Sequence, residues 1–247
     1  MKPVHPEFAP DPSLSREEME SLQRDIAELA TFTDDFEVDP LDSKTRIAGV
    51  DQGFSDGFAT SAIVVMDGSE KMDRKSIVDR AHARVETRIP YIPGLLSFRE
   101  GGAILAAFEE LEIEPDILLF DGCGRMHFRE AGLATHIGVM LDLPAIGVAK
   151  NLLCGTPRES LAEPLPEGTR IAIEADEEMI APTGEVIGYA LQSRQYDSGN
   201  RHINPLYVSP GHRVSAETAA DIVEGCCGGY KLPEPTRLAD RDAGDLR

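Results

Sequence analysis

The chain has no tryptophan and only 6% aromatic residues, so its core must be built mainly from aliphatic side chains. Cysteine is scarce: Cys123, Cys154, Cys226 and Cys227 are the full set. Only the last two are close in sequence, and adjacent cysteines suit neither a zinc knuckle nor an easy disulfide. A disulfide scaffold and a cysteine-held metal are excluded, and reduced thiols are expected. No apolar run approaches the length that crosses a bilayer, and Met1-Lys2-Pro3-Val4-His5-Pro6 lacks the apolar segment of a secretion signal. The expectation is a cytoplasmic protein without membrane contact.

Positive charge is also in short supply. There are 44 acids against 24 bases, for a formal net charge of −20, and only 6 of the bases are lysine. Such a mean field would repel nucleic acid. Alternatively, an acidic, lysine-poor surface keeps a protein hydrated in a very salty cytoplasm. The acids gather where solvent is expected, at Glu17-Glu18, Glu109-Glu110, Glu174 with Asp176-Glu177-Glu178, and from Asp240 to Asp245. That spread favours a salt-adapted surface over a binding tail. At molar salt the Debye length is about 3 Å, so net charge would hardly hinder phosphate binding.

What is present is an alternation of apolar runs and acids. Ile117-Leu118-Leu119-Phe120 runs directly into Asp121, then Gly122-Cys123-Gly124. A continuous apolar run reads as a strand buried on both faces, and ligand sites in open α/β sheets lie at strand carboxyl ends. Alone, such an Asp is as well explained as a turn residue. The pattern recurs, however, in Ile47-Ala48-Gly49-Val50 running into Asp51. Two carboxylates at neighbouring strand ends would repel each other unless a hard divalent cation joined them.

The chain of 247 residues accommodates one large α/β domain or two small ones. Residues 1–12 carry four prolines and no periodicity, which predicts a flexible arm. Ser15 and Glu18 form a capping box that opens a helix from about Arg16 to Thr31. Three strands follow: Arg46–Asp51, Thr60–Met66 and a segment within 76–88, where Ala81, Ala83, Val85 and Thr87 alternate with polar residues. Their short connections predict an antiparallel meander. Ser97 and Glu100 read as a second capping box. Strand 116–121, a helix over about 131–141 and strand 144–149 form a parallel crossover, with Lys150 at its end. Arg170–Glu174 and Val186–Gln192 suggest a peripheral hairpin. A helix is expected from about Ala216 to Cys227, and the chain from Pro233 onward is read as loosely docked or frayed. A meander followed by parallel strands and helices is the order of a ribonuclease-H-like fold, with a mixed central sheet flanked by helices.

Longer stretches carry a resemblance. Pro90-Tyr91-Ile92-Pro93-Gly94-Leu95-Leu96-Ser97-Phe98-Arg99-Glu100 resembles the signature of endonuclease V, the deoxyinosine-directed nuclease family. So do Asp121-Gly122-Cys123-Gly124 with His127, Gly147-Val148-Ala149-Lys150, Gly211-His212-Arg213 and Gly229 to Arg237. The likeness runs from about Arg16 to Asp240 in the family's order. It implies a metal site of Asp51, Glu100 and Asp121 with His212 close by as a proton carrier, and Lys150 at the cleaved phosphate or the attacking water. It implies Mg²⁺, with Mn²⁺ as a substitute. Pro90, Tyr91, Ile92 and Pro93, otherwise a stiff turn, become the family's strand-separating wedge, and Gly122, Cys123, Gly124 and His127 the pocket for a displaced base. Cys123 and Phe128 depart from the family's usual residues beside that pocket and put lesion preference in question.

The resulting expectation is a single catalytic domain over residues 13–240 with a tail at 241–247. It is a monomeric, metal-dependent repair endonuclease acting on deoxyinosine in DNA, with inosine-containing RNA as a further partner. It cuts the second phosphodiester 3′ of the lesion and leaves 3′-hydroxyl and 5′-phosphate ends. The rivals are a non-catalytic inosine reader, an inosine-specific ribonuclease of the same fold and a junction resolvase, which would need no wedge.

Overall fold

The computed structural model describes residues 1–40, 42–68, 76–161, 165–195 and 203–246. Helix α1 (Arg16–Leu29) opens on the expected capping box: Ser15 accepts from the Glu18 amide, and the Glu18 carboxylate accepts from the Ser15 amide. Strands β1 (Arg46–Ser55), β2 (Phe58–Asp67) and β3 (Ile77–Glu86) pair as the antiparallel meander. Helix α2 (Leu96–Glu109) leads to β4 (Ile117–Phe120), helix α3 (Leu133–Leu141) and β5 (Ala145–Ala149). Strands β1, β4 and β5 run parallel.

Beyond β5 come the short β6 (Thr156–Pro157), then β7 (Arg170–Glu174), β8 (Val186–Leu191) and β9 (Leu206–His212). The last of these joins the hairpin of β7 and β8 to the main sheet, antiparallel to β5. The sheet order is β3-β2-β1-β4-β5-β9-β8-β7-β6. Helices α4 (Ala216–Gly225) and α5 (Glu234–Asp245) complete the chain.

The apolar run of β4 serves two faces, as its composition demands. Leu118 and Phe120 pack with Ile26, Ile104, Phe108 and Ile137 from α1, α2 and α3. Ile117 and Leu119 pack with Ala219 and Ile222 from α4 on the other face. Leu238 and Ala239 of α5 cover Val64 and Met66 beside them. At Gly49 a Cβ would lie 2.1 Å from the Pro235 carbonyl carbon, so α5 begins in direct backbone contact with β1.

Both expected chain ends differ from the sequence reading. The arm is docked: Val4 and His5 amides donate to the Met140 carbonyl, the terminal amine donates to the Phe108 carbonyl, and Phe8 is buried. The tail belongs to α5, whose Leu238, Ala239 and Ala243 face the core. The second capping box is absent as well. Leu95 precedes α2, Glu100 is the fifth helical residue, and the Ser97 hydroxyl turns to His136.

His136 ties the arm to α2. Its Nε2 donates to the Phe8 carbonyl at 2.8 Å and its Nδ1 accepts from Ser97 at 2.8 Å. Burial holds the ring neutral, with its pKa pushed down to about 4. The unfolded chain takes up this proton near pH 6.5, so the contribution of His136 to stability is lost as pH falls from about 6.5 to 4. The stability advantage of wild type over His136→Asn should shrink by up to about 3 kcal/mol between pH 7.5 and 4.5 in urea unfolding. A pH-independent difference would show that the ring takes up its proton equally in the folded and unfolded protein.

Candidate active site

The register of the parallel strands builds the site. Phe120 pairs with Val50, so Asp121 emerges beside Asp51 at the carboxyl edge of the sheet, its amide donating to the Val50 carbonyl. Asp240 reaches the same point from α5. One carboxylate oxygen from each of Asp51, Asp121 and Asp240 lies within 4.8 Å of the others. Glu100 faces them from α2 on the opposite side of the sheet. It is buried, and its Oε2 has no hydrogen-bond partner.

These acids are expensive to ionise together. Burial, then the negative charge of Asp121, raises Asp51 to about 7. Burial, then Asp51 and Asp121, raises Glu100 to about 8. Lys150, just past β5, offsets part of this, with Nζ donating to Asp121 Oδ2 at 2.6 Å and lying 3.8 Å from Asp240 Oδ1. Burial works against the Lys150 charge, but the Asp121 hydrogen bond and the surrounding acids outweigh it and hold its pKa above the ordinary value. Oxygen-only donors, three of them converging and a fourth buried without a partner, fit a hard divalent cation.

The residues expected to form a wedge and a pocket meet beside this cluster. Tyr91 is 64% exposed at the loop tip, with Pro90 and Pro93 also exposed, while Ile92 packs against Met19, Ile89, Leu95 and Phe98. Tyr91, Cys123, His127, Leu133 and Leu153 line a cavity of about 100 Å³. A larger cavity of about 260 Å³, bounded by Pro10, Val85, Ile89 and Phe98, touches none of the clustered carboxylates. The Gly94 carbonyl at the base of the wedge accepts from Gln23 Nε2, His127 Nε2 and Arg129. That anchorage fixes the loop before any ligand arrives. Burial holds His127 neutral, pushed down to about 4, so it acts as a fixed strut.

Two expected roles change. Gly124 does not line the cavity: a Cβ there would lie 2.3 Å from the Pro210 carbonyl oxygen, and its amide donates to Ser209. Gly122 packs on Leu133, and the Cys123 carbonyl is taken by the Ala134 amide, so the turn's backbone mainly seats α3. His212 is not brought to the carboxylates. It pairs with Ala145 at the amino end of β5, roughly 16 Å down the sheet from Lys150. There its Nε2 donates to Asp142 and its Nδ1 accepts from the Thr31 amide, a structural tie. Because β9 is antiparallel to β5, its final residue lies at the opposite edge.

Asp240, Gln23, Arg129 and Leu153 were not anticipated. Asp240 was legible in principle, since it ends the stretch of family likeness one helical turn after Arg237.

Carboxylates side by side where β4 stops pairing with the longer β1 (Asp51 lies within that strand, Asp121 just past β4), in a mixed, helix-flanked sheet with a lysine among them, define a ribonuclease-H-like nuclease. The family model for endonuclease V matches residues 26–241. An endonuclease V from the halophilic archaeon Haloarcula marismortui is 62% identical over 99% of this chain and 97% of its own length. The crystal structure of the human protein superposes with a TM-score of 0.78 at 30% identity, covering 94% of this chain and 98% of that one. A Ciona intestinalis endonuclease V, solved with a 24mer DNA containing an inosine followed by a ribo-adenosine, gives a TM-score of 0.70 at 27% identity, covering 93% and 96%. The chain belongs to the endonuclease V family, and it is a nuclease.

Proposed function

We propose that this protein nicks DNA at the second phosphodiester 3′ of a deoxyinosine, using Mg²⁺ held by Asp51, Asp121 and Asp240 with Glu100 beside them. The observation that carries this reading is the placement of a rigid wedge, a small cavity and the carboxylate cluster along one edge of the sheet. Tyr91 enters the base stack as the lesion leaves it. Unstacking costs a few kcal/mol, which the wedge offsets by filling the gap. The cavity beside Cys123 and Leu153 receives the displaced base. Lys150 pairs with the phosphate to be cut and neutralises charge that grows on it. When bound at these carboxylates, a divalent cation would supply an activated water and charge stabilisation for the departing 3′ oxygen. Glu100, buried beside the cluster with its Oε2 unpartnered, is the carboxylate suited to accepting the water's proton.

A reader of inosine without chemistry would not need this cluster, whose burial destabilises the fold. The protein is proposed to work as a monomer with one catalytic unit over residues 13–240, in the cytoplasm. The test uses matched duplexes with one deoxyinosine or deoxyadenosine, with Mg²⁺, with EDTA and with Asp121→Ala, at low and molar KCl. Metal-dependent nicking of the inosine strand alone, reduced at least about 10³-fold in the variant, is expected. Inosine-selective binding without nicking would establish the reader instead. A parallel substrate with a ribo-adenosine after the inosine separates deoxyribose from ribose preference, because RNA is told from DNA at the 2′-hydroxyl.

A further inference from the structure

On the α5 side of the carboxylates, opposite the cavity, lies a second group of residues that cleavage chemistry does not use. Tyr230 is 52% exposed. One face of its ring is covered by the Arg237 guanidinium, 4.4 Å from the ring centroid. Arg237 is in turn held by both carboxylate oxygens of the buried Glu234, at 2.7 and 2.5 Å. The aromatic plane is therefore fixed from below and open above. Arg237 precedes Asp240 by one turn of the same helix, which places the ring beside the metal-binding edge.

Lys231 adjoins it. Among the described residues its ammonium donates to the Asn204 side-chain oxygen, an uncharged partner, in a chain of net charge −20. Its ammonium lies within electrostatic reach of Lys150 and Asp121, and burial followed by Lys150 lowers its pKa. The turn that carries both residues is anchored. The Lys231 carbonyl accepts from Ser193 at 2.6 Å and the Glu234 amide donates to Cys226 at 2.8 Å. A pre-oriented aromatic face beside an ammonium that, among the described residues, forms no ion pair with an acid is the device that seats a nucleotide: a stacked base and a paired phosphate.

The order of features along the sheet edge sets which nucleotide this is. The cavity lies on the α2–α3 side, Asp51 and Asp121 form the edge, and Tyr230 lies on the α5 side. A strand whose displaced base occupies the cavity and whose bond is cut 3′ of it leaves on the α5 side. We infer that Tyr230 stacks on the base immediately 3′ of the cleaved bond and that Lys231 pairs with that nucleotide's next phosphate. The inference rests on the proposed function above and adds a subsite to it.

The experiment replaces single nucleotides around the cut with abasic residues in the inosine strand. For wild type, removing the base just 3′ of the cut should raise KM about 5- to 100-fold, while abasic positions 5′ of the lesion have less effect. Tyr230→Ala should show a similar rise on the intact strand and no further rise on the abasic one. Tyr230→Phe should retain wild-type behaviour, since stacking needs no hydroxyl. Lys231→Met should reduce the slope of log affinity against log salt by about one. Equal sensitivity of wild type and Tyr230→Ala to the abasic position would overturn the assignment, as would wild-type indifference to every 3′ position. Wild type that nicks the inosine strand but shows that indifference removes only this subsite, whereas failure to nick inosine removes both readings.

Discussion

Asp51→Asn should abolish nicking and at the same time raise the melting temperature of the metal-free protein at pH 8. The two effects share one cause. Burial and then the neighbouring acids push Asp51 up to about 7 and Glu100 up to about 8 in the folded protein, against 3.8 and 4.5 ordinarily. Between those values the folded state holds protons that the unfolded state has released, so stability falls as pH rises from about 4 to 8. The asparagine is nearly isosteric and removes the charge that burial and Asp121 oppose. A gain of about 2 kcal/mol, or roughly 5 °C, is expected in EDTA at pH 8. The gain should shrink as pH falls and vanish near pH 4, where the carboxyl of the unfolded chain is also taking up its proton. With Mg²⁺ at about 100 times its Kd, wild type should gain about 2.7 kcal/mol and overtake the variant. Calorimetry at the two pH values, with and without Mg²⁺, reads all of this. A metal-free variant that melts below wild type at pH 8 would show that Asp51 is stabilised by a partner rather than poised for a cation.

Asp51 and Asp121 were legible because each ends an apolar run on a parallel strand, and parallel neighbours deliver their carboxyl ends to one edge. That logic failed for His212. Its strand contains Pro210, which breaks the apolar pattern and sits at a register shift opposite Ile146, where a missing amide is tolerated. Neither the strand's length nor its antiparallel direction could be read through the proline. Asp240 was hidden for a different reason. Helix α5 is strongly charged, and its buried stripe is only Leu238, Ala239 and Ala243 together with its first turn, so it read as a tail. Pro235 near the helix start, where a missing amide costs nothing, was the available sign of a helix. The arm was misread because four prolines hide anchors from elsewhere in the chain: Phe8 is buried with its carbonyl held by His136, and Val4, His5 and the terminal amine bond to Met140 and Phe108. Local pattern finds elements with their own periodicity. It misses those ordered by contacts from elsewhere in the chain.

Lys150→Met should move metal-free stability in the opposite direction from Asp51→Asn while also damaging cleavage. The ammonium is hydrogen-bonded to Asp121 and close to Asp240, so without a divalent cation it is the positive charge nearest to three converging acids. Its side chain is 44% exposed, and solvent screens it, so the cost of removing it is about 1 kcal/mol or less. The metal-free melting temperature at pH 8 should fall by about 2–4 °C at most. Added Mg²⁺ should close that gap, because the same acids then have another counter-charge. Cleavage should not recover with Mg²⁺. Loss of a donor aimed at the reacting phosphate costs about 10²–10³-fold, and the loss should appear in kcat. The two variants thus separate charge balance from chemistry: both lose activity, one melts higher and one lower in EDTA. Should Lys150→Met instead melt higher, the lysine would be a strained guest among the acids, and its contact with Asp121 would not be what holds the cluster together before metal binds.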